Sequence, residues 1–331
     1  MIKVVNPSVE VWKQDGYTLD AIWKHIARCA RVCYQSTPKN NGESDYDFLK
    51  RTILRGKDIK DITTEDIPKL HLSVFEHGTI YLAIPFKCLK KEENIPLIDV
   101  INSSYSRYFI TGHNNFENYY HVVTNMRVII ENKAFIAFNY MDDISDSFNY
   151  NFERVTLSMT TDIGTSRELN RHRCHSISEE STRYCRYNAD KFGNGITVAK
   201  LPWIKTIDTN DEFNVTTYNN GFYNDEEIYD KSTHLIEAKN TNDWTAVDWF
   251  LYGLQIANLV YCKCIELGWT AQQAREILPL NTKTQVVHTA FVKDWEHFID
   301  LRSNGVSGVP HPMAKELADK VNNLINATTC G

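Results

Sequence analysis

The chain has 331 residues, of which 42% are hydrophobic and 24% charged, with a formal net charge of −6. That is the composition of a soluble globular protein of one large domain or two ordinary ones. The acidic balance disfavours general nucleic-acid binding through a basic surface, so any affinity for phosphate must be local.

Taken from the N-terminus, residues 2–5 read as a short edge strand, and Met1 to Pro7 turns polar too quickly for a signal peptide. The periodicity predicts a helix from about Leu19 to Cys33, with Ile22, Trp23, Ile26, Ala27 and Ala30 on one face, and a second from Asp45 to Leu54. Thr79 to Ile84 is β-branched and aromatic and reads as a strand. Residues 86–150 read as an insertion that extends the sheet or covers the site, with Tyr119 to Ile130 a strand leading into a helix. Val155 to Ile163 alternates, which suits a strand with one buried face; Gly164 breaks it, and Ser166 is expected to cap a short helix that delivers Arg171. Residues 187–235 are polar and read as a second insertion or long loop. A long helix is expected from Asp243 to Leu267 with Trp249, Gly253, Ile256, Ala257, Val260, Cys264 and Ile265 as its apolar stripe, ended by Gly268. Thr270 and Gln273 form a capping box for the next helix. A further helix is expected over Thr284 to Leu301, and a terminal one over His311 to Ile325.

No run approaches the roughly 20 apolar residues that cross a bilayer, so no membrane association is expected. The eight cysteines form no Cys-x-x-Cys pair, which leaves a zinc ribbon or a thioredoxin-like motif unsupported and a reducing, cytoplasmic setting as the expectation. Neither Gly-x-Gly-x-x-Gly nor a Walker loop occurs.

Two stretches carry candidate chemistry. Arg171, Arg173 and Arg183, with Arg167 and Arg186 on either side, cluster without a lysine among the hydroxyls of Ser181, Thr182 and Tyr184. Arginine grips phosphate or carboxylate through a planar fork, so the cluster reads as a geometric anion site; the plainer alternative is a solvated charged loop. His71-Leu-Ser-Val-Phe-Glu-His77 holds two histidines and one glutamate, too few for a recognisable metal site, and no metal is expected.

The spacing of Arg171-His172-Arg173, seven further residues, then Ser181-Thr182-Arg183-Tyr184, resembles the signature of the flavin-dependent thymidylate synthases. The approach Asp162 to Leu169 looks like the same family, as do Ala30 to Tyr34, the His71–His77 block and Ala274 to Asn281, and the Arg275 to Arg302 spacing matches too. The resemblance implies an α/β (α+β) fold, a central sheet flanked by helices, as a single catalytic domain over 1–331 carrying the two insertions. It also implies reductive methylation of dUMP to dTMP. Methylenetetrahydrofolate would supply the carbon and FAD, reduced by NADPH, the hydride, with no covalent enzyme nucleophile, in a homotetramer whose active sites form between subunits.

Carried over residue by residue, the resemblance gives dUMP to Glu168, Arg171, Glu179, Ser181, Thr182, Arg183, Arg275 and Arg302, with Arg302 held against the uracil ring as the catalytic group. It gives the cofactor to His71, Ser73, Glu76, Arg171, His172, Arg173, Glu179, Lys293, His297 and His311. The chain departs from the compact members at Phe291 and Lys293, where they have Asn and Arg against the adenine half of FAD. Those departures and the insertions motivate the alternative of a flavin- or nucleotide-binding homologue without synthase activity. An RNA-binding module using Arg and Tyr stacking is disfavoured by the acidic charge.

Overall fold

The computed structural model describes residues 2–38, 42–112, 118–142, 152–205, 212–213, 229–230, 235–236 and 244–329. Its centre is an antiparallel sheet in the order β2 (Ser8–Val11), β6 (Arg154–Asp162), β12 (Lys283–Phe291), β7 (Ser176–Glu179). β6 and β12 pair along their full lengths, from Lys283 opposite Asp162 to Phe291 opposite Arg154. Helices cover both faces, which is the α+β form of the expected architecture.

The two faces differ in chemistry. Val155, Leu157, Met159, Val286 and Ala290 point to the side where α8 (Val292–Arg302) and α9 (Pro312–Thr329) bring Trp295, Phe298, Leu317 and Val321 into one apolar core. Thr156, Ser158, Gln285 and Thr289 alternate with them and meet α1 (Leu19–Val32) and the tight turn Leu72–His77. Here a buried polar chain crosses the sheet. His25 Nε2 lies 3.0 Å from Thr156 Oγ1, Thr156 2.7 Å from Thr289 Oγ1, Thr289 2.7 Å from His77 Nδ1, and His77 Nε2 2.9 Å from Ser178 Oγ.

A separate antiparallel sheet is built from β3 (Thr79–Pro85), β5 (Tyr119–Asn125) and β4 (Arg107–Thr111). The 86–150 segment thus leaves the central sheet alone and adds two strands to β3. It also adds α3 (Ile95–Asn102) and α4 (Met126–Glu131), whose Leu97, Val100 and Ile129 share a core with Ile22, Ile26, Phe48 of α2 (Asp45–Thr52) and Phe75. The strand-then-helix reading of 119–130 matches β5 and α4.

Several expectations need correction. β1 (Ile2–Val5) is not an edge strand; it lies between β8 (Thr197–Ala199) and β9 (Glu212–Phe213). The two-residue strands β10 (Tyr229–Asp230) and β11 (Leu235–Ile236) pair with each other, and most of 206–243 falls outside the described residues. β6 is buried on both faces, not one. α5 (Ile163–Leu169) is capped by Asp162, not Ser166, and Gly164 sits inside it. The stretch 284–301 is not one helix. Thr284, Val286, Val287 and Thr289 favour extended backbone, and β12 is sandwiched between strands before Val292 starts α8. The long helix is α6 (Ala246–Glu266), capped by Thr245. Its buried side is Leu251, Leu254, Asn258, Tyr261 and Ile265, so the stripe lies a step round from the expected one, and Trp249 is 49% exposed. The Thr270–Gln273 capping box opens α7 (Ala271–Ala274) as expected, and Gly268 ends α6 at φ +101°.

Candidate active site

After α5 the chain makes two successive tight turns, in which His172 N donates to the Leu169 carbonyl and His175 N to that of His172. They send alternate side chains opposite ways. Arg171 and Arg173 are exposed, while His172 and His175 are buried against the apolar face of the sheet. The His172 ring centre is 4.7 Å from Phe298, and that of His175 is 4.5 Å from Trp295. Burial, helped by the Arg302 charge, lowers the His172 pKa to about 4, and burial lowers that of His175 to about 3.

Arg302, in the last turn of α8, reaches back to this turn. Its Nη1 donates to Glu168 Oε2 at 2.9 Å, its Nη2 to the Glu168 carbonyl at 2.9 Å, and its Nε to His172 Nε2 at 3.3 Å. An acceptor at Nε2 requires a neutral ring with its proton on Nδ1, which the lowered pKa supplies. The exposed His297 lies beside them, its ring 6.1 Å from His172. One residue beyond α5, Asn170 Nδ2 donates to Glu179 Oε2 at 2.8 Å, and Thr284 Oγ1 donates to the other carboxylate oxygen at 3.1 Å. Glu168, His172, Arg302 and His297 therefore form one group, with Glu179 tied to it through Asn170.

Ser181, Thr182, Arg183 and Arg275 form a second. Ser181 N donates to the Cys33 carbonyl, and Arg183 N donates to Ser181 Oγ at 3.3 Å. Arg183 Nε donates to Gln272 on α7 at 3.2 Å, three residues before the exposed Arg275, which meets Glu276 at 3.2 Å. β7 ends at Glu179, two residues before Ser181, and no described hydrogen bond joins Arg302 to Arg183 or Arg275.

No described hydrogen bond joins the remaining candidates to these groups. His71 and Ser73 are exposed on the Leu72–His77 turn, and Glu76 Oε1 accepts from Arg127 at 2.6 Å. Lys293 pairs with Glu296 at 2.9 Å, and the His311 ring faces Trp203 at 5.9 Å. Three further groups, Arg154, Arg107 and His288, stand out in the structure. Among the described residues Arg154 donates to neutral acceptors, Thr79 Oγ1, the Glu76 carbonyl and Ser176 Oγ, and desolvation lowers its pKa to about 10. Arg107, from the insertion, covers the Phe291 ring at 4.1 Å and pairs with Asp294 at 2.9 Å. His288 lies 3.1 Å from His175 and 3.3 Å from Asn170. None of these carried a spacing signal, because each acts through partners distant in sequence.

Residues 149–325 match the family described as thymidylate synthase complementing protein. A curated relative named "Probable flavin-dependent thymidylate synthase", from Paramecium bursaria Chlorella virus 1, is 26% identical over 152 residues, 46% of this chain. The match spans 58% of that relative's own length. Two solved structures of a UMP/dUMP methylase, PolB from Streptomyces cacaoi, one bound with 5-Br dUMP and one with 5-Br UMP, overlay loosely. The first has a TM-score of 0.38 at 16% identity, covering 97% of this chain and 91% of that one. The second has 0.39 at 15%, covering 98% and 90%.

Proposed function

Since the chain belongs to the thymidylate synthase complementing protein family, we propose that it is a flavin-dependent thymidylate synthase that methylates dUMP to dTMP. Methylenetetrahydrofolate is the proposed carbon donor and NADPH the proposed reductant. The observation that carries the reading is Arg302 docked on Glu168 and His172. A guanidinium delivered from 130 residues away in the chain is oriented at the turn that also carries Arg171 and Arg173.

The donor set suits a flavin dinucleotide. Arg171 and Arg173 project from one turn, exposed, with no carboxylate partner among the described residues, as two forks able to take a diphosphate. Reduced FAD, when bound, supplies a hydride. His71, Ser73, Glu76, His172, Glu179, Lys293, His297 and His311 are the further proposed contacts. Ser181, Thr182, Arg183 and Arg275 are proposed to take the dUMP phosphate, whose near-double charge and three acceptor oxygens call for such donors. Arg302 would stabilise negative charge over N3 and O4 of the uracil, making C5 more nucleophilic. The active sites are proposed to form between the subunits of a homotetramer.

The thiols are consistent with a route that needs no enzyme nucleophile. Burial raises the pKa of Cys33 and Cys262, and that of Cys185 to about 12, so each of these three is a poor thiolate source at neutral pH. Purified protein should show the flavin absorbance bands and release tritium from C5 of labelled dUMP with methylenetetrahydrofolate and NADPH. A colourless preparation that neither binds FAD nor turns over dUMP overturns the reading. Phe291, closed over by Arg107, favours one second reading, a flavin- or nucleotide-binding homologue. Its mark would be bound flavin without tritium release.

A further inference from the structure

We propose that the cleft between Trp12 and the outer face of α1 is a second binding site, one that takes a small-molecule oxyanion, a carboxylate or phosphate, on Arg28 and Ser36. The cleft has a volume of about 490 Å³, and Arg31, Gln35 and Gln285 also line it. None of its lining residues belongs to the proposed active site.

First, the cations of α1 differ in their pairing. Lys24 is held by Asp15 at 2.6 Å, and Arg31 lies 3.6 Å from Asp45 while stacked on Phe48 at 3.7 Å. Arg28 has no carboxylate partner among the described residues. Second, Arg28 is oriented all the same, its guanidinium carbon 3.8 Å from the centre of the buried Trp12 ring. Stacking on an aromatic face fixes the plane of the fork and leaves its N–H edge to bind a planar or tetrahedral oxyanion in two places. Trp12 Nε1 is itself occupied, donating to Glu10 at 3.2 Å. Third, Ser36 Oγ is buried and has no hydrogen-bond partner among the described residues. A buried hydroxyl is costly to leave unpaired, and an oxyanion would accept from it. Fourth, Gln35 adopts φ +45°, a left-handed backbone strained for a side chain of this size, and its amide donates to Gln285 Oε1 at 2.9 Å. Strain of this kind persists where surrounding structure enforces it, commonly at ligand clamps.

The test uses the full chain and isothermal titration calorimetry with inorganic phosphate, dUMP, NADPH, tetrahydropteroate and tetrahydrofolate. The last pair differ by one glutamate, hence by added carboxylate. The wild type should bind at least one probe in a way that Arg28→Gln weakens about ten- to a hundredfold, the scale of a lost charge-assisted hydrogen bond. Ser36→Ala should weaken the same probe less, and Arg28→Lys should recover part of the loss. If phosphate competes and the two pterins are unaffected by Arg28→Gln, the ligand is a phosphate. If Arg28→Gln weakens tetrahydrofolate but not tetrahydropteroate, it is a carboxylate tail.

Arg28 is exposed, so its replacement should leave the thermal unfolding midpoint near wild type; should Arg28→Gln not fold, Arg28→Lys and Ser36→Ala carry the comparison. Absence of any Arg28- or Ser36-dependent binding overturns the site. Tritium release, measured in parallel, separates the two proposals. Release without such binding sinks only this site, and such binding without release sinks only the synthase reading.

Discussion

Arg302 holds Glu168 twice, through the carboxylate Oε2 at 2.9 Å and through the backbone carbonyl at 2.9 Å. A lone arginine at a helix C-terminus ordinarily serves the helix dipole. This one is aimed by the end of α5. Arg302→Ala is expected to lower kcat for tritium release by about 10²–10³, with a smaller effect on KM for dUMP. Arg302→Lys should recover only part, since an ammonium cannot make both contacts in one plane. An unchanged kcat in Arg302→Ala removes the catalytic assignment.

Arg183 and Arg275 are reached through Gln272 and the turn that follows α7. If they grip the phosphate, Arg183→Ala and Arg275→Ala each raise KM for dUMP by about ten- to a hundredfold, the cost of one charge-assisted contact. Binding of deoxyuridine, which lacks the phosphate, should hardly change. Equal losses for both ligands would place these arginines in a structural role.

Five buried histidines set the acid limit. His25, His77, His172, His175 and His288 all have pKa values drawn below 6.5 by burial. The unfolded chain therefore takes up protons first as pH falls. The stability these residues confer is complete above about pH 6.5 and is lost progressively towards pH 4, where His25 and His172 titrate in the fold. Each contributes a slope of about 1.4 kcal/mol per pH unit. Urea midpoints should be flat from pH 7 to 8 and fall steeply below pH 6. A flat profile down to pH 4.5 would show that these rings are hydrated.

Thr289 joins His77 to Thr156 at 2.7 Å on each side. Thr289→Val keeps the shape but leaves two buried groups short of a partner, and should destabilise by about 1–3 kcal/mol, read as a lower unfolding midpoint. Thr289→Ser should retain most of the stability. If valine is tolerated without loss, the polar chain across the sheet is an incidental contact.

Local devices were legible because they are completed within a few residues. The Thr270–Gln273 capping box closes on itself, and Gly268 supplies the left-handed backbone that ends α6. The stretch 284–301 departs from its helical expectation for a related reason. A strand buried on both sides loses its polar alternation, and Thr284 to Phe291 then looks like the first turns of the helix that follows. The buried side of α6 differs from the expected stripe because Leu251 and Leu254 are no more apolar than Trp249 and Val260, and only the neighbouring elements decide which set is covered.

The candidate residues themselves were in the sequence: an arginine-only cluster, its hydroxyls, and the Arg275 to Arg302 spacing, all set by side-chain chemistry and order along the chain. Which of them meet was not. The Glu168–Arg302 pair, the neutral His172 that accepts from it, and the Arg107 cover on Phe291 join residues more than a hundred positions apart. Those contacts, and the burial that keeps the histidines uncharged, exist only once the sheet and its helices exclude water around them.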